Sequence, residues 1–343
     1  MDHDLFFDTF VPARDEAQLA EVRRLLDACG LDLDKGVQVF LTCRRDGALV
    51  ACAGLEDGVV KCVAIDGSMR GENLSLKLLE EMAHLALERG HAHLFLYTKP
   101  EQRERFEGCG FHTLATVPGH ACLMENTPVG LSGACARLAK LRQPGARIGG
   151  IVLNANPFTL GHRHLVTRAA EACDWLHVFV LSEDASAIAY SDRLELVRAG
   201  TADLPRLTVH PGSRYMISKA TFPSYFLKDQ VLVETCSTAS DLLIFREHLA
   251  PALGITHRYV GTEPFCPLTR RYNDDMRRWL EAPEVSPAAP IQVVEIPRLA
   301  AGGTAISASE VRRLLKAGDF ARMAGLVPPA TLDLMRAKYA GKL

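Results

Sequence analysis

From residue 148 onward the chain repeats a short apolar run followed by an amphipathic stretch, and this rhythm limits the fold more than any other feature of the sequence. The apolar runs at 148–154, 175–181, 207–210, 257–260 and 291–296 have strand length. The stretches at 161–172, 192–202, 240–249, 273–280 and 309–316 carry a helical period. Parallel strands cannot be joined by a tight turn and need a crossover, which a helix supplies. The alternation therefore predicts a doubly wound, parallel α/β sheet. Ligands of such sheets gather beyond the strand C-termini, where the free N–H groups and dipole of the next helix favour anions. Motifs at those positions carry the most weight.

The rhythm differs before residue 130. Segments 38–44, 48–55 and 59–65 read as strands, joined by turns at Asp46-Gly47 and Asp57-Gly58. Leu74, Leu78, Leu79, Met82 and Leu85 then share one helical face. A strand follows at 93–97, and a short helix near 102–107 ends at Gly108-Cys109-Gly110-Phe111. This is a mixed α+β pattern. Gly, Pro and basic residues between 130 and 150 separate it from the second pattern, with a short helix possible at 134–141. A length of 343 residues exceeds what one core usually fills. We expect one domain at 1–130, a linker at 131–146 and a second domain at 147–343.

Composition excludes several classes. With 48% hydrophobic and 23% charged residues the chain can bury a core, and a net charge of −2 gives no bulk attraction to nucleic acid or anionic membrane. No apolar run approaches the ~20 residues that span a bilayer. Acids at positions 2, 4 and 8 argue against a secretory signal. Ten cysteines occur without a C-x-x-C pair, which disfavours zinc and suits reduced core residues of a cytoplasmic protein. His91 and His93 lack further ligands and read as a strand-edge pair, so no bound metal is expected.

Two motifs carry the chemistry. The first strand of the second domain runs into Asn154, Ala155, Asn156, Pro157, Phe158, Thr159, Leu160, Gly161 and His162, where a helix begins. Small residues there let backbone N–H groups approach a phosphate, with the His162 imidazole and Thr159 hydroxyl in reach. The alternative is that Thr159 only caps the helix and His162 is a surface residue. Near the C-terminus, Ser307 and Ser309 open another helix, and Arg312 lies one turn in. Cap hydroxyls, N–H groups and a guanidinium meeting at one point suit a polyphosphate.

These segments, T-L-G-H and I-S-A-S-E-V-R, resemble the T/H-x-G-H and I-S-x-S-x-V-R motifs of the nucleotidylyltransferase superfamily. That superfamily transfers nucleotidyl groups on a Rossmann-like sheet. The wider set NANPFTLGH, CDWLHVFVLSEDAS, residues 211–228, FREHLAPALGITHRYVGTEPFCPLTRRYN and ISASEVR is similar to the citrate lyase ligase family over about 148–327. This resemblance implies an acid–thiol ligase. It would use ATP and acetate to acetylate the thiol of a dephospho-CoA-type prosthetic group on the acyl carrier subunit of citrate lyase. Acetyl-adenylate would be the intermediate, and AMP and pyrophosphate the products. Acetate is ionised at neutral pH and needs no general base. His162 and Thr159 would serve the α/β-phosphate region, and Arg312, Ser307 and Ser309 the β/γ end. Asn154, Ala155, Asn156, Phe158 and Gly161 would line the nucleotide site.

Other assignments are broader. Lys219 fits a phosphate or acetate cation and equally a solvated loop lysine. Gly261 and Glu263 follow the fourth strand, where the superfamily shapes its ribose and base pocket; Glu263 fits a ribose contact, a role near Mg²⁺ or a structural loop. Arg270, Arg271, Tyr272 and Asn273 would border that pocket. Mg²⁺ would arrive on the triphosphate, since no carboxylate cage is visible. The competing reading is a nucleotidylyltransferase making a stable nucleotide conjugate of a phosphorylated metabolite.

Residues from about 37 to 111 resemble the GNAT acetyltransferase fold, on Met69, Arg70, Gly71, Glu72, Asn73, Leu74 and Ser75 before a helix, and on Phe106 to Phe111 after it. The GNAT loop R/Q-x-x-G-x-G/A wraps the pyrophosphate of acetyl-CoA. Counted from Arg70, its two glycine-like positions hold Asn73 and Ser75. The resemblance implies that Arg70, Gly71, Asn73 and Ser75 hold a CoA-like arm, with a scaffold that has lost its ligand as the alternative.

Overall fold

The structure is a computed structural model. It describes all residues except 1–4, 70–72, 183–186, 217–224, 228–229, 263–266, 302–303 and 342–343, and only the backbone at 230–231, 267–271, 300–301 and 304–305. The chain divides into two compact units. One comprises residues 1–134 with 221–240, the other residues 135–220 with 241–343.

The first unit is built on a seven-stranded sheet of β1 (Leu5–Phe10), β2 (Val39–Arg45), β3 (Ala48–Glu56), β4 (Val59–Ile65), β5 (Phe95–Thr98), β6 (His112–Val117) and β7 (Ala121–Glu125). The strand order is β1-β2-β3-β4-β5-β7-β6. All neighbours are antiparallel except β4 and β5, which pair in parallel only at Val59–Phe95 and Val60–Leu96. Beyond those two pairs the strands part, and a cleft opens in the sheet. Helices α1 (Glu16–Ala28), α2 (Leu74–Glu88) and α3 (Arg103–Glu107) complete this part of the chain. Leu74, Leu78, Leu79 and Met82 of α2 are buried with Val39, Leu41, Ala51, Ala53 and Leu96. The helical face read from the sequence is thus the core-facing one; Leu85 lies at its margin, and Ala86 is buried in addition. Strand β1, helix α1 and the β6–β7 hairpin are elements that the sequence reading did not delimit.

Helix α4 (Gly130–Ala139) occupies most of the stretch read as a linker. Beyond it stand β8 (Ile148–Leu153), α5 (Leu160–Glu171), β9 (Trp175–Val180), α6 (Tyr190–Thr201) and β10 (Leu207–Pro211). They are followed by α7 (Gln230–Ile244), a π-turn at Phe245–Leu249, α8 (Ala250–Leu253), β11 (His257–Gly261), α9 (Pro267–Glu281) and β12 (Gln292–Ile296). A two-residue hairpin of β13 (Ala300–Ala301) and β14 (Thr304–Ala305) precedes α10 (Ala308–Lys316), α11 (Phe320–Met323) and α12 (Pro329–Leu334). Two helices differ from the reading. The helix expected at 240–249 is the end of α7 and the π-turn, and that expected at 273–280 starts earlier, as α9. The missed start of α7, QVLVETCSTA, is rich in residues of low helix propensity (Val, Thr, Ser and Cys), and the missed start of α9, PLTRRY, is largely polar.

Strands β8 to β12 form the parallel sheet expected of an α/β unit, in the order β10-β9-β8-β11-β12. The chain fills one side from β8 outward, then returns to place β11 on the other side of β8. The switch point therefore lies between β8 and β11. These two strands pair only at His257–Gly149 and Arg258–Gly150, near their starts, so their C-terminal ends diverge. A crevice at that place is where a sheet of this topology holds ligands. No described helix is long and apolar enough to cross a membrane.

Candidate active site

The site grows from the C-terminal end of β8. Ala155 takes a left-handed backbone (φ 50°), a conformation that costs an L-residue on the order of 1 kcal/mol. The chain turns there, and the next residues bury themselves: Phe158 is fully buried and Thr159 is 1% exposed. Thr159 caps α5. Its Oγ1 accepts from the His162 N–H at 3.3 Å, and its own N–H donates to His162 Nδ1 at 3.0 Å. The Thr159 hydroxyl lies 3.0 Å from the same ring nitrogen.

This reciprocal cap fixes the imidazole tautomer. Nδ1 faces a backbone donor and must accept, so the proton sits on Nε2. Burial and the Arg298 guanidinium push the His162 pKa down from 6.5 to about 4. His162 is therefore a neutral imidazole near pH 7, able to donate one hydrogen bond through Nε2. The Phe158 ring stacks beneath it with centroids 5.8 Å apart. Phe158 in turn lies over Gly200, where any β-carbon would come within 2.4 Å of the ring. Thr159 and Phe158 thus hold His162 from below. Thr159 does not point a spare hydroxyl at a ligand, as the loop reading had allowed, because its oxygen is spent on the cap.

The second motif meets the first. A β-carbon built on Gly161 would come 3.2 Å from the Ile306 carbonyl oxygen, so glycine is what lets the start of α5 approach the start of α10. Ser307 caps α10 by accepting from the Glu310 N–H at 3.1 Å. Arg312 reaches back from the first turn. Its Nη1 donates to the Asn156 carbonyl at 2.6 Å and its Nη2 to Ser309 Oγ at 3.1 Å. His162, Ser307, Ser309 and Arg312 therefore gather at the mouth of the switch-point crevice. The starts of two helices come together there, and helix N-termini suit an anion, although the Leu160 N–H of α5 already donates to the Leu326 carbonyl at 2.9 Å.

Asn154 and Asn156 serve as acceptors within the protein. The buried Arg193 donates through Nη1 to the Asn154 carbonyl at 2.8 Å, to Asn154 Oδ1 at 2.7 Å and to the Leu181 carbonyl at 2.9 Å. Its Nε donates to Ile188 O at 3.1 Å, and the Ile188 N–H donates to Asn156 Oδ1 at 3.1 Å. One guanidinium thus ties the ends of β8 and β9 to the start of α6. Gly261 ends β11 at the opposite lip, and Asn273 Nδ2 donates to its carbonyl at 3.2 Å. The Tyr272 hydroxyl donates to Asp241 Oδ2 at 3.1 Å. Arg298, just past β12, leans over this lip and donates through Nε to the Thr262 carbonyl at 2.6 Å.

Arg193 and Arg298 were missed by the sequence reading. Arg298 follows a parallel strand's C-terminus, a place where a cation is worth noting. Arg193 sits inside an ordinary amphipathic helix and gives no sign of its role. Lys219 and Glu263 lie outside the described residues, as do the side chains of Arg270 and Arg271. Among the described residues, no group of three His, Cys, Asp or Glu side chains could hold a metal ion. His93 Nε2 lies 2.8 Å from Glu125 Oε2, a structural contact.

The first unit has a separate cavity of about 580 Å³, where β4 and β5 part. Its lining includes Ile65, Asn73, Ser75, Tyr97, Lys99 and Tyr225. Asn73 precedes α2 with a left-handed backbone (φ 53°) and makes no side-chain cap, leaving the first N–H groups of α2 without that partner. Tyr225 donates to the Tyr97 carbonyl at 2.9 Å. Arg70 and Gly71 lie outside the described residues.

Residues 148–335 match the family described as "Citrate lyase ligase C-terminal domain". The chain belongs to the citrate lyase ligase family. The [Citrate [pro-3S]-lyase] ligase of Escherichia coli (strain K12) is 52% identical over 97% of this chain and 94% of its own length. That of Klebsiella pneumoniae is 49% identical over 94% of each. This citrate lyase ligase is therefore an enzyme of the ligase class. Among solved structures, an acyl-CoA N-acyltransferase from Pseudomonas aeruginosa is similar to 36% of the chain, covering all of its own, at 21% identity and a TM-score of 0.31.

Proposed function

We propose that this citrate lyase ligase uses ATP to activate acetate as acetyl-adenylate and passes the acetyl group to a thiol on the acyl carrier subunit of citrate lyase. The observation that supports the reading is that the segments bearing His162 and Arg312 adjoin, through the approach of Gly161 to Ile306 and the Arg312–Asn156 hydrogen bond.

The chemistry asks for orientation and charge neutralisation more than for proton transfer. An acetate oxygen attacks the α-phosphorus, the bond from that phosphorus to the bridging oxygen breaks, and pyrophosphate leaves. The carrier thiol then attacks the acetyl carbon, the acyl C–O bond breaks, AMP leaves, and the thiol proton passes to solvent. In the first step His162 donates its Nε2–H to an α- or β-phosphate oxygen. Arg312 and the α10 amides, framed by Ser307 and Ser309, hold the departing pyrophosphate. Thr159 and Phe158 act through His162, and Gly161 through the contact with α10. Gly261 and Glu263 border the nucleoside, and Lys219 supplies a further cation for phosphate or acetate. Among the described residues no group of three His, Cys, Asp or Glu side chains could hold a metal ion, and Mg²⁺ would enter bound to the triphosphate.

The cavity of the first unit takes the carrier's dephospho-CoA-type arm. Its volume falls in the range of roughly 300–1,000 Å³ usual for small-molecule sites. The parted β4 and β5 edges offer main-chain groups to the amides of an extended arm, and Asn73 and Ser75, which line the cavity, would bind its phosphate end together with Arg70 and Gly71. Free thiols throughout the described chain suit a cytoplasmic setting.

The test is isotope exchange between pyrophosphate and ATP. Exchange that depends on acetate and needs no carrier supports the adenylate. Exchange that ignores acetate but requires a phosphorylated metabolite overturns it in favour of a nucleotidylyltransferase.

A further inference from the structure

The crevice of the parallel sheet has a floor as well as a mouth, and a cation stands at the floor. The last pair joining β8 to β11 is Gly150 with Arg258, and beyond it the two strands part. Side chains alternate between the two faces of a strand. Ile151, Leu153 and Tyr259 belong to the core that contains Val166 and Ala169 of α5, so Gly150, Val152, Arg258 and Val260 look to the opposite face. Val152 and Val260, each two residues beyond the last pair, are partly exposed although both strands lie inside the sheet. The crevice therefore opens on that face directly above Arg258.

Arg258 is 4% exposed, and its Nη1 has no hydrogen-bond partner among the described residues. The guanidinium lies over the Phe245 ring, 4.4 Å from its centroid. An aromatic face attracts a cation but satisfies none of its N–H groups. A buried charge without a hydrogen-bonded counter-ion is less favourable than an apolar residue of similar volume, so this arginine is poorly explained as packing. A small anion entering from the crevice would complete it. The surroundings select among anions. Asp241 and Tyr272 act on Arg258 electrostatically, and the Tyr272 hydroxyl donates to Asp241 Oδ2 at 3.1 Å. One negative charge is thus already nearby, which disfavours a multiply charged phosphate at this depth. Val152, Val260 and Phe245 are apolar and suit a methyl group.

We infer that Arg258 binds the carboxylate of the acid substrate, a small aliphatic monocarboxylate, at the floor of the switch-point crevice. The inference rests on the ligase reading above and places the acid subsite at a residue which that reading does not contain. One carboxylate oxygen accepts from the guanidinium and the other stays free to attack the α-phosphorus, while the methyl group lies against Val152 and Val260. The acid is bound below the phosphates, and its length is limited by the floor.

The test measures acetate-dependent exchange of pyrophosphate into ATP with the full chain, comparing wild type with Arg258→Gln and Arg258→Lys after folding is checked by circular dichroism. Gln removes the charge; Lys keeps it on a single ammonium. The KM for acetate should rise at least about tenfold in Arg258→Gln and less in Arg258→Lys, with the KM for ATP within about twofold of wild type in both. A role in packing alone would move both constants together or neither, and either pattern overturns the inference while leaving the ligase reading standing. Should neither variant fold, the unaltered chain decides. In enzyme labelled with ¹⁵N-arginine, acetate should shift the guanidinium resonances of Arg258, and unshifted resonances at acetate concentrations that saturate exchange overturn the inference. A wild-type enzyme whose exchange ignores acetate removes the ligase reading and this inference with it.

Discussion

His162 shows how much of this site is decided by a single hydrogen bond. Because the Thr159 N–H donates to Nδ1, the ring can offer only Nε2–H, and burial beside Arg298 keeps it neutral with a pKa of about 4. Removing a preorganised donor of this kind typically costs 10²- to 10³-fold in rate, so His162→Ala should slow acetate-dependent exchange by about that factor. His162→Gln places an amide N–H near the same position and should recover part of the loss. Since the imidazole is already neutral, the rate should show no ionisation of His162 between pH 6 and 8; a pH profile that loses an inflection in His162→Gln would count against this. Gly161 makes a second case. Alanine there would press on the Ile306 carbonyl and spread the two helix starts by a few tenths of an ångström. We expect Gly161→Ala to raise the KM for ATP about tenfold with the fold intact, checked by initial rates and circular dichroism. That the two motifs would adjoin could be read from the sequence, because each follows a strand of one parallel sheet and opens a helix. Arg193 could not, since its value lies in four acceptors brought together only by folding.

The elements repeat this division between pattern and context. The five strands of the parallel sheet and the helix starts at Thr159 and Ser307 were legible because periodicity and capping residues act locally. The beginning of α7, the first turns of α9, β1 and the β6–β7 hairpin were not, and β1 is held by a partner distant in sequence, since Leu5–Phe10 pairs with Phe40–Arg45. Buried polar groups are another property of packed elements. His177 on β9 and His210 on β10 are 0% and 2% exposed, with Nδ1 of the first 2.9 Å from Nε2 of the second. Burial pushes both pKa values down toward about 4, with the neighbouring imidazole adding to the shift at His177. A lowered histidine pKa means that the folded chain binds fewer protons than the unfolded one between that value and 6.5. The contribution to stability is therefore complete above pH 6.5 and is lost as pH falls toward 4, at up to about 1.4 kcal/mol per pH unit for each group. Thermal unfolding should shift down across that window, and a His177→Val/His210→Phe double variant should shift less. Parallel curves for the two proteins would refute the assignment.

At the scale of the whole molecule, one chain carries two candidate sites, for which we propose separable chemistry: a crevice in the parallel sheet and a cavity at the parted strands of the first unit. The sequence separated these regions by rhythm, yet it gave no hint that Tyr225 and Phe226, from between the strands of the parallel sheet, would line the first unit's cavity. Ser75→Trp should fill that cavity beside α2. It should abolish acetylation of the carrier while leaving acetate-dependent exchange of pyrophosphate within about twofold of wild type. Loss of both reactions in a folded variant would mean that the cavity is not a separate arm site. The central claim is that residues 145 positions apart, such as His162 and Ser307 with its neighbour Arg312, grip one ATP to drive acyl transfer. Its most direct test is the intact mass of deacetylated carrier after incubation with ATP, Mg²⁺, acetate and the purified enzyme. The account predicts one added acetyl group with AMP released, and loss of both in Arg312→Ala. A carrier of unchanged mass with the wild-type enzyme, or one acetylated equally well by Arg312→Ala, would contradict it.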